Sequence, residues 1–231
     1  MNNNFAIIVA AGTGSRMASN LPKQFMLLDG KPILMHTIAK FSNADVNAKI
    51  IIVLSEDMMN YWEELCLEYH FDIPHAVCVG GNSRFQSVKN ATSFIQSHYH
   101  LLENDVIAVH DAARPLVSTS LIEQLFQACH SKQAALIPAV QSSNSVRLGN
   151  QEQSKSIDRN DVWLVQTPQV FEATLFQKAY EQEEDSNFTD DASVIEKMSN
   201  SITIIPGDYK NIKITLPEDI AIAQYYLNSS N

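Results

Sequence analysis

The sequence predicts an α/β protein with an open, mostly parallel sheet, helices on both faces and a protruding β-arm. Three observations predict it. Short, continuously apolar runs rich in β-branched residues recur along the chain, as at residues 5–9, 49–54, 106–109 and 134–140. Strands apolar on both faces belong to parallel sheets covered on both sides. Segments with apolar residues at helical spacing separate these runs, the alternation that builds such a sheet. One long polar stretch, residues 141–161, breaks the pattern.

Taken in order, residues 5–9 (Phe-Ala-Ile-Ile-Val) read as a buried strand that runs straight into Ala10-Ala11-Gly12-Thr13-Gly14-Ser15-Arg16-Met17. Residues 49–54 form the next strand. Met58, Tyr61, Trp62, Leu65 and Tyr69 share one face of a helix over 58–69. Residues 77–79 are a short strand closing in Gly80-Gly81, and 83–95 are helical. After the strand 106–109, Ser118 caps a helix carrying Leu121, Ile122, Leu125 and Phe126. Residues 134–140 are the next strand.

The polar stretch 141–161 reads either as a loop or as a hairpin. A structureless loop of this length is uncommon inside a compact domain. Alternation around Ser145-Val146-Arg147-Leu148, with Gly149-Asn150 as a turn, fits the hairpin. Residues 162–165 return to the body. Helices follow over 172–183 and 191–198, strands over 202–205 and 212–214, and Pro217 opens a last helix reaching Leu227. With no repeat and no clear linker, the expectation is one domain over 1–231 with an inserted arm at about 141–161.

Composition narrows the function. The chain has 231 residues with 26 acidic and 16 basic side chains, a net charge of −10. That balance argues against a nucleic-acid backbone as partner, which calls for a basic face. Basic residues lining a cleft then serve a small anionic ligand. Cys66, Cys78 and Cys129 are odd in number and form no C-x-x-C pair, which predicts reduced thiols in a cytoplasmic protein. The seven histidines lack metal-ligand spacing. The apolar start is broken at Gly12 and has no basic leader, so neither a signal peptide nor a membrane span is expected.

The first turn holds the strongest chemical signal. Small residues let the backbone approach a ligand, and successive N–H groups can cradle phosphate oxygens. Arg16 and, after Leu21-Pro22, Lys23 add positive charge. The turn is not a dinucleotide fingerprint, because Met17 occupies the third glycine position, and no Walker loop is present. A tight strand-to-helix turn without a ligand is the plain alternative.

Further candidates follow later strands. Asp111, in His110-Asp111-Ala112-Ala113-Arg114-Pro115, stands where open α/β sheets bind ligands and suits Mg²⁺, which prefers one or two carboxylates plus phosphate oxygens. Otherwise it caps the turn and pairs with Arg114. The turn Gly80-Gly81-Asn82-Ser83-Arg84, with Ser87, either reads a base edge or starts a helix with Ser83 as cap. Arg159, in Asp158-Arg159-Asn160 on the arm, is a solvated charge by composition. Thr167 and Thr189 are turn or capping residues by the same standard. Lys213 sits in an apolar context, where a buried lysine needs a partner such as a phosphate.

Jointly, and in this order along residues 5–227, these motifs resemble the 2-C-methyl-D-erythritol 4-phosphate cytidylyltransferases of the non-mevalonate isoprenoid pathway. The resemblance implies a Rossmann-like fold of the nucleotidyltransferase type. It also implies a Mg²⁺-dependent transfer from CTP to methylerythritol phosphate with release of pyrophosphate, in a homodimer joined through the arm. Residue by residue, it puts the triphosphate on Ala10, Ala11, Gly12 and Gly14 with Arg16, Lys23 and Lys213 as the catalytic cations. The cytosine falls to Gly81, Asn82 and Ser87, and the metal to Asp111. The sugar phosphate falls to Arg114, Thr167, Thr189 and, from the arm, Ser145 and Arg159.

Two departures stand out. Asn144-Ser145 replaces the family's usual Asp-Thr after a lengthened Gln141–Ser143, and Asn82 replaces a usual Asp, turning an acceptor into a mixed donor and acceptor. Ribitol-5-phosphate cytidylyltransferases are the nearest rivals. Ala10-Ala11-Gly12 and Asp158-Arg159-Asn160 favour methylerythritol phosphate over them. A Rossmann oxidoreductase is disfavoured by Met17. A non-catalytic nucleotide-binding protein would need neither Asp111 nor Lys213.

Overall fold

The computed structural model describes residues 3–12, 21–131 and 134–229. Strand β1 (Asn4–Val9) leads, after the first loop, to the two-residue strands β2 (Leu27–Leu28) and β3 (Lys31–Pro32) and to helix α1 (Ile33–Asn43). β4 (Ala48–Leu54), α2 (Met59–Glu68), β5 (Ala76–Val79), α3 (Arg84–His98), β6 (Val106–Asp111), α4 (Thr119–His130) and β7 (Ala135–Gln141) alternate as expected. The arm is the hairpin β8 (Val146–Gly149) and β9 (Ser154–Ile157), followed by β10 (Trp163–Val165) and β11 (Gln169–Glu172). α5 (Ala173–Ala179), α6 (Asp191–Glu196), β12 (Thr203–Pro206) and α7 (Glu218–Asn228) complete the chain.

The main sheet has the order β5-β4-β1-β6-β11-β7, with β10 also along β7 and β12 pairing β7. All its pairings are parallel except those of β10 and β11. Register brings Val9, Val53 and Asp111 level, and Leu54 level with Val79. The carboxyl ends of four strands therefore share one edge. β1 sits between β4 and β6, so the chain reverses its winding there and opens a crevice at that edge.

Strand alternation sorts β1 into two cores. Ala6 and Ile8 pack with Leu34, Ile38, Phe41, Trp62, Ile122 and Phe126 from α1, α2 and α4. Phe5 and Ile7 pack with Phe85, Val88 and Ile95 of α3 and with Phe171, Phe176 and Ile195 on the other face. This two-sided burial is why the strands are apolar at every position. A smaller cluster of Leu28, Ile33, Leu116, Ile214 and Ala223 seats α7.

The structure departs from the sequence expectations at four places. α1 was not anticipated, although Leu34, Ile38 and Phe41 have helical spacing. β11 was not anticipated either. Its leading Gln169 is polar yet buried, which hides the apolar run of a central strand. The helix expected over 172–183 is the shorter α5. Residues 212–214 are not a strand, because side chains rather than a ladder hold this segment. Arg114 Nη1 donates to Asn211 O (2.8 Å), Asn211 Nδ2 donates to Thr167 O (2.9 Å), and the one sheet-edge bond is Ile214 N–H to Ala113 O (2.8 Å).

The arm is held by its own turn. Asn150 N–H donates to Gln153 O, and Asn150 Oδ1 accepts from the N–H groups of Glu152 and Gln153. Gly149 has φ 137°, and a Cβ there would collide with Gln153 O, so only glycine closes this hairpin.

Deep in β6, His110 is fully buried. Its Nε2 lies 3.1 Å from Arg114 O, which only accepts, so Nε2 carries the proton and Nδ1 accepts from Thr167 O–H (3.0 Å). Burial holds this ring neutral, from 6.5 down to about 4, and burial also lowers His36 and His75. A depressed histidine supplies stability that is present above the unfolded pKa and lost as pH falls through the window from 6.5 to about 4. Urea unfolding between pH 7.5 and 4.5 is expected to show falling stability, with His110 contributing on the order of 3 kcal/mol across its whole window. The slope is expected to flatten in His110→Gln, and a pH-independent wild type would contradict this account.

Candidate active site

Two cavities open at the carboxyl edge of the sheet. The larger, about 530 Å³, is lined by the first loop at Ala10, Ala11 and Gly12, by Lys23 and Gln24, by the α3 turn from Gly81 to Arg84 with Ser87, and by Asp111 and Lys213. The smaller, about 320 Å³, is lined by Arg114, Thr167, Gln169, Thr189 and Asp190. Arg84, Asp111 and Lys213 line both. The two spaces meet at one charged wall, and both have the size of small-molecule sites.

Local packing shapes the larger cavity. Gln24 is buried, and its Nε2 donates to Ala10 O (2.5 Å) and Gly12 O (3.2 Å), which turns both carbonyls inward to the protein. Among the described residues, a Cβ on Gly12 would meet nothing within 4 Å, so that face of the loop has room for a ligand. A Cβ on Gly80 would stand 2.6 Å from Ala11 Cβ, so glycine lets the α3 turn close against the first loop. Ser87 Oγ accepts from Gly81 N–H (3.1 Å) and fixes that turn, while Ser83 caps α3 by accepting from Gln86 N–H. Asn82 is exposed on the cavity wall.

Asp111 ends β6 with 14% of its side chain exposed. Lys213 Nζ lies 2.9 Å and Arg114 Nε 3.5 Å from its Oδ2. Burial disfavours its charge, but Lys213, Arg84 and Arg114 outweigh that and hold the carboxyl well below the usual range. It is ionised throughout the physiological range. Among the described residues the buried Arg114 Nε has this long ion pair to Asp111 but no acceptor at hydrogen-bond geometry. Lys213 is not the buried lysine that its apolar neighbours suggested. Its side chain is 40% exposed and its partner is a carboxylate.

Thr167 is nearly buried in the smaller cavity, and its hydroxyl is already engaged. Its oxygen accepts from Asp111 N–H (3.0 Å) and its proton goes to His110. It braces Asp111 rather than offering a donor to a ligand. Thr189 is exposed on the cavity wall beside Asp190, which caps α6 in a reciprocal box with Ser193. Gln169 ties that cap to β11, with Nε2 donating to Asp190 Oδ2 (2.7 Å) and Oε1 accepting from Ala192 N–H (2.9 Å).

Of the expected site residues, Ala10, Ala11, Gly12, Lys23, Gly81, Asn82, Ser87, Asp111, Arg114, Thr167, Thr189 and Lys213 come together around the two cavities. Gly14 and Arg16 lie outside the described residues. Ser145 and Arg159 line neither cavity: both are exposed on the arm, where Arg159 Nη1 donates to Ser143 O (3.1 Å). Gln24, Gln169 and Arg84 were missed as site residues. A buried glutamine carries no sequence signal, and Arg84 read as part of a helix start. Among the described residues no cluster of three His, Cys, Asp or Glu side chains is poised for a metal. In the larger cavity, among the described residues, Asp111 alone presents a hard carboxylate, which suits an ion that takes most of its ligands from phosphate.

This arrangement pairs two cavities of small-molecule size across a shared charged wall. Comparison with known proteins agrees. Residues 5–229 match the family described as IspD: 2-C-methyl-D-erythritol 4-phosphate cytidylyltransferase. The chain is 42% identical over 222 residues to the enzyme of that name from Phocaeicola vulgatus, covering 96% of this chain and 98% of that one. It is 44% identical over 227 residues to the one from Azobacteroides pseudotrichonymphae, covering 97% and 98%. The crystal structure of the Francisella tularensis enzyme of the same name superposes with a TM-score of 0.79 at 34% identity, covering 97% and 99%. The chain belongs to the 2-C-methyl-D-erythritol 4-phosphate cytidylyltransferase family.

Proposed function

We propose that the protein transfers the cytidylyl group of CTP to 2-C-methyl-D-erythritol 4-phosphate, giving 4-diphosphocytidyl-2-C-methyl-D-erythritol and pyrophosphate. The observation that carries this reading is the wall of Asp111, Arg84 and Lys213 common to both cavities. A group transfer between two bound phosphates needs such a junction. The relatives above are named for methylerythritol phosphate, and ribitol phosphate is not favoured. The chain acts as a single nucleotidyltransferase unit with the arm at about 141–161 inserted for dimerisation.

The nucleophile is an oxygen of the sugar 4-phosphate, ionised at neutral pH, so no general base is required. It attacks the α-phosphorus of CTP as the bond to pyrophosphate breaks. Catalysis then rests on alignment and on cations aimed at developing charge. The first-loop residues Ala10, Ala11, Gly12 and Gly14 receive the triphosphate, with Ala10 placed by its N–H bond to Val53 O (2.9 Å), and Arg16, Lys23 and Lys213 offset charge on the α-phosphate and leaving group. Gly81, Asn82 and Ser87 form the cytosine turn. Arg114 and Thr189, both on the wall of the smaller cavity, hold the sugar phosphate. Asp111 would hold a Mg²⁺, whose charge offsets that of the phosphate oxygens.

Arg159 and Ser145 serve the site of a second subunit. Leu148 on the arm and Trp163, Leu164 and Val165 on β10 are exposed, apolar surface suited to a twofold partner. In that dimer each Arg159 reaches the neighbour's sugar phosphate with a bidentate contact.

Incubation with Mg²⁺, labelled CTP and a panel of sugar phosphates is expected to release pyrophosphate with methylerythritol phosphate. Release only with ribitol phosphate, or with none, would overturn the proposal.

Lys23→Ala is expected to lower kcat by about 10²–10³-fold with circular dichroism unchanged, as for loss of one preorganised donor. Near-normal turnover would remove Lys23 from the mechanism.

EDTA is expected to abolish turnover and Mg²⁺ to restore it. Asp111→Asn is expected to raise the Mg²⁺ concentration required, because the amide keeps the shape and loses the charge. Full activity of Asp111→Asn at low Mg²⁺ would return Asp111 to a purely structural part.

Arg159→Ala is expected mainly to raise KM for the sugar phosphate. Mixed with Lys23→Ala, it is expected to recover part of the activity, since exchanged heterodimers contain one intact site. No recovery despite exchange verified by native mass spectrometry would contradict arm exchange.

A further inference from the structure

Arg84 has no part in the scheme above, yet it stands on the wall shared by both cavities. It is the first residue of α3, directly after the cap Ser83. Asp191 is the first residue of α6, directly after the cap Asp190. Arg84 grips Asp191 in a two-pronged ion pair, Nη1 to Oδ1 at 2.9 Å and Nη2 to Oδ2 at 2.5 Å. The pair thus joins the turn that carries Asn82 to the loop that carries Thr189 and Asp190.

The surroundings hold this pair in one geometry. Asp191 is fully buried, and Tyr180 O–H donates to its Oδ1 at 2.6 Å. The Phe85 ring, next in sequence to Arg84, stacks on Tyr180 at 5.0 Å and on Phe188 at 5.5 Å. A buried ion pair adds little net stability compared with apolar packing, so its distinctive contribution is geometric. α3 is anchored along its length by Val88, Ala91 and Ile95, and the shorter α6 by Val194 and Ile195 of the same core. The Thr189–Asp190 loop leads directly into Asp191, so the pair fixes where that loop enters α6.

We propose that Arg84 is a positioning residue for the sugar-phosphate subsite, holding the Thr189–Asp190 loop in place from the nucleotide side through Asp191. The inference rests on the cytidylyl-transfer reading and deepens it. An ammonium cannot bridge both carboxylate oxygens in a plane as a guanidinium does, so Arg84→Lys keeps the charge and loses the geometry.

Wild type, Arg84→Lys, Asp191→Asn and the double variant are compared with CTP, Mg²⁺ and methylerythritol phosphate, with CTP affinity measured separately at equilibrium. Each single variant is expected to raise KM for the sugar phosphate about tenfold or more while the Kd for CTP stays within about threefold, as for loss of a contact that orients one substrate. The double variant is expected to be no worse than the poorer single one, because both lose the same pair. A purely structural role would reduce the folded fraction and leave KM unchanged, which overturns the inference. So does a parallel rise in the Kd for CTP, which would mean that Arg84 serves the nucleotide itself. Should Arg84→Lys fail to fold, Asp191→Asn carries the test, and failure of both assigns the pair to folding and overturns it. A wild type that releases no pyrophosphate overturns the functional reading, and the inference with it.

Discussion

The carboxylate of Asp111 organises the edge of the sheet on which the site is built. Its charge is disfavoured by burial and retained because Lys213, Arg84 and Arg114 surround it. Those cations reach it through a closed circuit of bonds. Asp111 N–H binds Thr167 Oγ1, Thr167 O accepts from Asn211 Nδ2, Asn211 O accepts from Arg114 Nη1, and Arg114 pairs with Asp111. Lys213 lies two residues beyond Asn211, so the same latch that holds the segment also delivers the lysine. The circuit thereby ties two distant parts of the chain, Thr167 and the segment from Asn211 to Lys213, to the end of β6. It leaves a cationic surface in a protein whose overall charge is −10.

Behind this circuit lies buried polar bracing. His110 receives the Thr167 proton, Gln24 turns two loop carbonyls inward, and Gln169 clamps the cap of α6. Buried polar groups of this kind are costly unless satisfied, and satisfied ones fix a single arrangement. Alignment of two anionic substrates is the main demand of phosphoryl chemistry without a general base. A rigidly braced wall between two cavities meets that demand.

Much of this was legible in the residues themselves. Continuous apolar runs identified β1, β4, β6 and β7 because both faces of those strands are buried. The edge strand β5 was identified by its short apolar run before a glycine pair. Alternation around Val146 and Leu148, with a glycine turn, identified the hairpin. The first loop, the turn from Gly81 to Ser87 and Asp111 were legible because each follows or ends a strand at the same sheet edge. What escaped was set by tertiary contacts. β11 is four residues long and begins with a buried Gln169, whose partners come from α6. Ile212 and Ile214 look like a strand, yet the segment is latched by Asn211 and Arg114. Arg84 gave no sign of its role because its partner Asp191 is 107 residues away. Asp111 could be read either as a metal ligand or as a pairing partner of Arg114, and the structure supplies that pairing while leaving the carboxylate on the cavity wall.

The central claim is that the Asp111 wall is where the two substrates meet. A crystal structure with CTP and Mg²⁺ bound tests it most directly. The account predicts the cytosine against the turn from Gly81 to Ser83, the α-phosphate at the wall beside Asp111 and Lys213, and Lys213 Nζ turned from the carboxylate to a phosphate oxygen. A triphosphate bound away from that wall, with the Lys213–Asp111 pair intact, would contradict it.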